Sequence, residues 1–288
     1  MRSRSGDLHP SELPPTIKKR YNPSSVISGW NNANARSSRV CDGGGIIFAH
    51  PYYHSLAFTV NRPHTTVVLA MSADGKIADR SRTAAHIGSH HDKLHLERQI
   101  ARADALLLGA GTLRADQASL PVTTPALLDE RQQQGKPPQP INIVCSPSGN
   151  LDPDWNFFRQ GIPRWLLTSP EGAQRWQEQP QFERVLIGAA TPSAERLVFD
   201  WPVVLEQLAQ FNLHRIAVLG GAELIASLLA VNLIDEFWIT LCPVILGGAD
   251  AATPVAGQGF FTAEAPRLDL CEVINIEGEL FLNYRVKR

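Results

Sequence analysis

The sequence predicts an α/β fold: a mainly parallel central sheet with helices on both faces, closed by an antiparallel hairpin at the C-terminus. Several short runs are continuously aliphatic, such as "ALLLG" at 105–109, "INIVC" at 141–145 and "RIAVLGG" at 215–221. Strands buried on both faces read this way, because neither side meets water. Segments of helical periodicity stand between them, the pattern of βα units. The last stretch, "RLDLCEVINIEGELFLNYRVK" at 267–287, instead alternates apolar and polar residues about Glu277-Gly278, as a half-buried hairpin does.

Taken in order, the first strand is "TTVVLAM", 65–71, β-branched and aliphatic and ending in the turn formers Ser72-Ala73-Asp74-Gly75. A helix is expected over "SHHDKLHLERQIARA", 89–103, with Ser89 as N-cap and Leu94, Leu96, Ile100 and Ala101 as an imperfect apolar stripe. Strand "DALLLG" follows, then a long polar loop around "QQQGKPPQP", 132–140, and strands "INIVCS", "RWLLT" and "RVLIG". A helix near "PVVLEQLAQFN", the strand "HRIAVLGG", the helix "AELIASLLAVN" and the strand "DEFWITLCPVIL" lead to the terminal hairpin. With no internal repeat and no second core, residues 64–288 are expected to form one domain.

Residues 1–63 differ in character, with eight Lys/Arg, three Asp/Glu, nine serines and no sustained apolar period. A disordered tail, a basic and serine-rich transit peptide, and upstream sequence translated from a start placed too early all fit this composition. The third is favoured, with Val60 as the first residue, because starting at Met71 would delete the first strand.

Charge removes whole classes of function. Lys+Arg 27 against Asp+Glu 28 gives a net charge of −1, which is no footprint for nucleic acid or a membrane surface. No apolar run approaches the roughly 18 residues of a membrane span. The four cysteines, Cys41, Cys145, Cys242 and Cys271, are scattered without a C-x-x-C spacing. A soluble protein of the reducing cytoplasm, acting on a small molecule, is expected.

In open α/β sheets ligands bind beyond the carboxyl ends of the strands. Three turns fall at such ends: "SADGK" at 72–76, "GAGT" at 109–112 and "LGGAEL" at 219–224. Glycine there lets a backbone approach something closely. The last two turns lead toward N–H groups that suit an anionic phosphate. Neither is a P-loop or a full G-x-G-x-x-G, and each glycine pair alone is more often merely a tight strand-to-helix connection. Their conjunction is the stronger signal.

The order "LAMSADGKIA", "ARADALLLGAGTLRADQASL", "IAVLGGAELIASLLAVNLIDEFWITLCPVILGG" resembles the C-terminal reductase domain of the bacterial bifunctional riboflavin-biosynthesis deaminase/reductase, over roughly residues 64–288. The resemblance implies a dihydrofolate-reductase-like fold and a stand-alone reductase, because the combination of H-x-E with P-C-x-x-C that marks the zinc deaminase half has no counterpart. It implies NADPH as cofactor, held by Gly109, Gly111, Thr112 and Asp116, by Gly220, Gly221, Ala222 and Glu223 in the turn that runs on to Ser227, and by Ser146. It implies hydride transfer to C1′ of 5-amino-6-(5-phosphoribosylamino)uracil in a ring-opened, imine-like form, turning ribosyl into ribityl. Such a step needs a group that polarises the acceptor; Lys76 is the cationic candidate, with Asp74 orienting the turn or contacting the base. Both residues also suit a plain solvated turn. Leu120 and Arg114 are expected on the substrate side, and pairing as a homodimer is implied through the "DEFWITLCPVILGG" segment.

Departures fall on the substrate half. Positions where the family carries two arginines and a glutamate are Ile100, Thr123 and Leu219 here. Arg98, Arg102 and Arg114 are the cations available to replace a lost arginine. A related reductase of another heterocyclic or carbonyl substrate, and a nucleotide-binding protein without turnover, therefore stand beside the leading reading. His91 and His95, at i and i+4, have a spacing that can hold a metal but fit a solvated helix face better. Cys145 fits a buried free thiol, and Trp155, Trp165, Trp176, Trp201 and Trp238 fit core or interface anchors.

Because the leader lacks the apolar content to offset an ordering cost of roughly 1 to 2 kcal/mol per residue, a chain starting at Val60 should fold and bind ligand like the full chain. Loss of the cooperative unfolding transition in that shorter chain would contradict this.

Overall fold

The computed structural model describes residues 62–81, 87–177, 179–188, 190–193 and 196–288; the leader up to residue 61 lies outside the described residues. In chain order the elements are β1 (His64–Ser72), α1 (His90–Arg102), β2 (Ala105–Gly109), α2 (Ala110–Asp116), α3 (Pro125–Gln133), β3 (Ile141–Cys145), a 3₁₀ turn (Asn156–Arg159), β4 (Arg164–Thr168) and α4 (Pro170–Gln174). They continue as β5 (Arg184–Ile187), β6 (Ala190–Ser193), β7 (Arg196–Phe199), α5 (Trp201–Gln210), β8 (Arg215–Val218), α6 (Ala222–Leu229), β9 (Glu236–Cys242), β10 (Leu268–Ile276) and β11 (Glu279–Val286).

Among the described residues nine strands form one sheet in the order β10-β11-β9-β1-β8-β2-β3-β4-β5, and β6 and β7 form a separate hairpin. From β9 to β5 the pairs are parallel, and β11 joins β9 antiparallel. The predicted α/β class, the mainly parallel sheet and the terminal hairpin are all present. Glu277 (φ 53) and Gly278 (φ 89) give that hairpin the consecutive left-handed residues of a tight two-residue turn.

Both faces of the sheet are covered. On one, Val67, Leu107, Ile143, Leu167 and Val218 pack with Leu205 and Leu208 of α5 and Ile225 and Leu228 of α6. On the other, Val68, Leu106, Ala217, Trp238 and Phe281 pack under Ile100 of α1 and Leu127 of α3. The five expected tryptophans are all buried. A further layer of Leu113, Val144, Leu166, Trp155, Phe157 and Trp176 fills the β3–β4 end. Cover ends at the hairpin, where Leu270 (53% exposed) and Val273 (52%) of edge strand β10 stand in solvent.

Helix α1 begins as expected: Ser89 caps it, its side chain accepting from the His91 N–H at 3.0 Å. Its buried stripe differs from the expected one, since His95, Glu97 and Gln99 are buried beside Ile100 and Ala101. Polar residues are stabilised there by partners. The Glu97 carboxylate accepts from the N–H groups of Thr123 and Thr124 at 2.6 and 2.7 Å and from both hydroxyls. Burial raises its pKa, but these hydrogen bonds outweigh burial and leave it lowered. Arg131, 1% exposed, donates to the carbonyls of Ala101 and Ala103 at the end of α1 and to that of Pro137. That buried arginine explains why α3 reads as loop in the sequence: only Leu127 and Arg131 face inward, so no apolar period betrays the helix.

His95 corrects the expectation of a solvated face. It is 6% exposed and lies 4.7 Å from the Trp238 ring and 5.0 Å from Phe281. Burial, with Arg98 and Arg102 nearby, lowers its pKa to about 4. The folded state therefore keeps His95 neutral where the unfolded chain binds a proton, so stability is complete above the unfolded value and falls as pH drops from about 6.5 toward 4. Urea midpoints measured across that window should fall more steeply for the parent than for His95→Phe; equal slopes would contradict the assignment.

Candidate active site

All the parallel strands end at one edge of the sheet, so the turns after β1, β8, β2 and β3 become neighbours. The tightest contact joins β8 and β2. Their ladder runs past its last strand pair, Leu107 with Val218, into the turns: Leu219 N donates to Leu107 O at 3.0 Å and Gly109 N to Gly220 O at 2.7 Å. A Cβ on Gly109 would stand 2.8 Å from Gly221 N, closer than side chains tolerate. Gly220 has φ +107, a conformation that only glycine adopts easily. The quoted glycines of "GAGT" and "LGG" thus approach each other.

Helices α2 and α6 start from this contact, with Gly109 and Gly221 as their N-caps and no capping side chain at either. Helix starts present N–H groups that lack intrahelical partners, together with the positive end of the helix dipole. Thr112, in the first turn of α2, brings its hydroxyl within 3.3 and 3.1 Å of where side chains on Gly220 and Gly221 would begin. A Cβ on Gly111 would meet nothing within 4 Å outside its own helix turn, and Asp116 closes α2 one turn beyond Thr112, on the same helix face. Ser146 follows Cys145, the register partner of Gly109, and is 2% exposed. Structure thus gathers Gly109, Gly111, Thr112, Ser146, Gly220, Gly221, Ala222 and Glu223 at one place. Ser227 lies deeper, accepting from the Trp201 indole and donating to Leu224 O, both at 2.8 Å.

The turn after β1 is built by Ser72. Its N–H donates to Lys76 O at 2.8 Å, while its hydroxyl accepts from Lys76 N at 2.9 Å and donates to Asp74 at 2.6 Å. Asp74 also accepts from the N–H groups of Leu246 and Gly247, at 3.1 and 2.7 Å. The Ser72 hydroxyl and these amides hold its pKa at about 2. A carboxylate so engaged carries no proton at neutral pH, and its contribution to stability is lost only as pH falls below the unfolded value of 3.8 toward 2. Asp74 latches the turn to the loop after β9. The half-buried Lys76 lies with its Nζ 3.5 Å from Ala251 O. The sequence marks Asp74 through its Asp-Gly step but gives no hint of its distant partners.

The residues expected on the substrate side separate. Arg114 is exposed on α2, whereas Leu120 packs against the cluster under α1. Ile100 is fully buried, Thr123 is tied to Glu97, and Leu219 packs between two clusters. Arg102 lines a cleft with Thr66 and Arg215 at the N-terminal ends of β1 and β8, the opposite edge, so it does not replace a lost arginine here. Arg98 is exposed on α1 one turn from it.

Other reactive groups are engaged elsewhere. His91 lies 3.6 Å from Glu277, and no cluster of three metal-binding side chains occurs among the described residues. The chain's His-x-Glu, His95-Leu96-Glu97, has both polar side chains buried as described above. Cys145 is buried, which pushes its thiol pKa up and leaves it unreactive. No helix among the described residues is long and apolar enough to cross a membrane.

Comparison with known proteins gives the family of this fold. Residues 63–282 match the model of the RibD C-terminal domain. The chain is 31% identical over 222 residues to the 2,5-diamino-6-ribosylamino-4(3H)-pyrimidinone 5′-phosphate reductase of Archaeoglobus fulgidus, covering 76% of this chain and 96% of that one. It is 26% identical to the Methanothermobacter thermautotrophicus protein of the same name, covering 78% and 99%. A pyrimidine reductase-like protein of Corynebacterium diphtheriae shares the fold, with a TM-score of 0.63 at 22% identity over 80% of this chain and 94% of that one. The chain belongs to the RibD C-terminal domain family, whose fold is dihydrofolate-reductase-like.

The glycine contact makes a prediction of its own. Gly109→Ala should cost about 1 to 3 kcal/mol by overpacking backbone against backbone, while Gly111→Ala, which meets nothing within 4 Å, should be close to neutral. Urea unfolding of the two variants checks this; equal losses would contradict it.

Proposed function

We propose that this chain, as a member of the RibD C-terminal domain family, is an NADPH-dependent reductase of riboflavin biosynthesis that turns the ribosyl group of a 6-ribosylaminopyrimidine 5′-phosphate into ribityl. The observation that carries the reading is the meeting of two uncapped helix starts across the Gly109–Gly220 contact, one strand away from the turn that bears Lys76. Bare backbone and two converging helix dipoles suit a pyrophosphate, so the residues present fit a dinucleotide.

When bound, NADPH supplies the hydride that C1′ of the acceptor receives. In this reading the main-chain N–H groups of Gly221, Ala222 and Glu223 hold phosphate oxygens, and Gly109 and Gly111 leave room for them. Thr112, Asp116 and Ser146 complete the cofactor side. Lys76 polarises the acceptor, Asp74 positions the turn that carries Lys76, and Arg114 and Leu120 border the substrate. The work is done in the reducing cytoplasm.

Two acceptors share this chemistry. Resemblance to the bifunctional enzymes favours 5-amino-6-(5-phosphoribosylamino)uracil, whereas the archaeal relatives are named for the 2,5-diamino pyrimidinone, which bears an amino group at C2 in place of oxygen. A reductase of another heterocyclic or carbonyl substrate is the second reading, favoured by Ile100, Thr123 and Leu219, none of which offers a cation. Nucleotide binding without turnover is the third. Assaying NADPH oxidation with both pyrimidine phosphates separates them: turnover of either supports the proposal, and binding of NADPH with turnover of neither overturns it.

Assembly follows from the uncovered apolar strand. Leu268, Leu270 and Val273 of β10 expose 38 to 53% of their surface on the outer strand, and a second copy would cover them. Relative to the expected 235–248 segment, the exposed surface lies two strands further out. Light scattering should return twice 31.6 kDa at micromolar concentration, and a mass at 31.6 kDa would count against the homodimer.

Separation of cofactor from acceptor gives the sharpest variants. Asp116→Ala should weaken NADPH binding by roughly 1.5 to 3 kcal/mol, about ten- to a hundredfold. Lys76→Ala should leave that affinity unchanged and lower kcat, as an interaction made mainly in the transition state does. Fluorescence titration and steady-state kinetics test both; an Asp116→Ala chain that binds NADPH like the parent would remove "GAGTLRAD" from the cofactor site.

A further inference from the structure

The connection from β9 to β10, residues 243–267, crosses the same edge and is hydrogen-bonded to two of the turns. At the acceptor side Ala73 N donates to Val244 O at 2.8 Å, Leu246 and Gly247 close on Asp74, and Ile77 N donates to Ala252 O at 2.9 Å. At the cofactor side Ala256 N donates to Ala222 O, in the first turn of α6, at 3.2 Å, and Gly257 (φ +79) lies against Ala226. Between the anchors, the Thr253 hydroxyl holds Val255 O at 3.0 Å and Val255 packs on the core beneath α6. Extended, the step from Ala252 to Ala256 spans at most about 14 Å, and Pro254 fixes one of its torsions. So short and anchored a segment transmits a shift of the first turn of α6 to Ile77 instead of absorbing it.

We propose that residues 244–257 are a strap that couples nucleotide occupancy at the start of α6 to the placement of Lys76, so that the acceptor side is completed only when the cofactor side is filled. The inference rests on the cofactor reading of Gly220 to Glu223. The strap reaches Lys76 twice, through the backbone of Ala251 beside its Nζ and through Asp74 beside Ser72. Binding is then ordered, nucleotide before acceptor, and the coupling is reciprocal.

Hydrogen exchange of the full chain, read by mass spectrometry with and without NADPH, tests it. Exchange should slow in the first turn of α6 and also, by about fivefold or more, at Ile77, Leu246 and Gly247. Inserting Gly-Gly between Thr253 and Pro254 should keep the α6 protection and lose the rest. Protection of α6 with no change at Ile77, Leu246 and Gly247 in the parent chain overturns the strap and leaves the cofactor site standing. Absence of protection at α6 overturns the cofactor site and the strap with it. Should the insertion prevent folding, the parent measurement alone decides.

Discussion

Two neighbouring parallel strands, β2 and β8, end in turns that approach closer than any side chain allows, and the candidate site follows from that approach. Because Gly109 N donates to Gly220 O, the sheet ladder continues one step beyond its strands and joins the two turns. Both flanking helices must then start at the same spot, and neither can bring a capping side chain, since the N-cap positions are the glycines themselves. Both helices therefore begin without a side-chain cap. Close packing and the uncapped helix starts thus have one cause, the missing Cβ at Gly109 and Gly221.

Around this fixed point the remaining geometry is set by a few buried or engaged polar groups. Glu97 pins the segment before α3 to α1, and Arg131 ties the end of α1 to α3. Asp74 ties the turn of Lys76 to the loop after β9. Each is a charged group whose partners are largely main-chain, and such groups hold loops in place without the period that helices and strands require. The turn of Lys76 is therefore placed by long-range contacts, the turns after β2 and β8 by the sheet itself.

That division explains what the sequence revealed. Aliphatic runs such as "ALLLG" and "RIAVLGG" announced the strands, and the glycines after them announced the turns, because both signals are local. Ser89 was legible as a cap for the same reason. Helix α3 was not, since its buried side is one leucine and one arginine, and neither was the burial of His95, which depends on Trp238 and Phe281 far along the chain. Arg102 read as a cation available to replace a lost arginine, yet its helix carries it toward the opposite edge. Partners of Asp74 more than 170 positions away leave no trace in local pattern.

The most direct measurement is a crystal structure of the chain with oxidised NADP. Its pyrophosphate is expected within hydrogen-bond distance of the main-chain N–H groups at the start of α6, over the Gly109–Gly220 contact, with the nicotinamide directed toward Lys76. A nucleotide bound instead at the opposite edge, in the cleft formed by His64, Asp235 and Arg285, would contradict it.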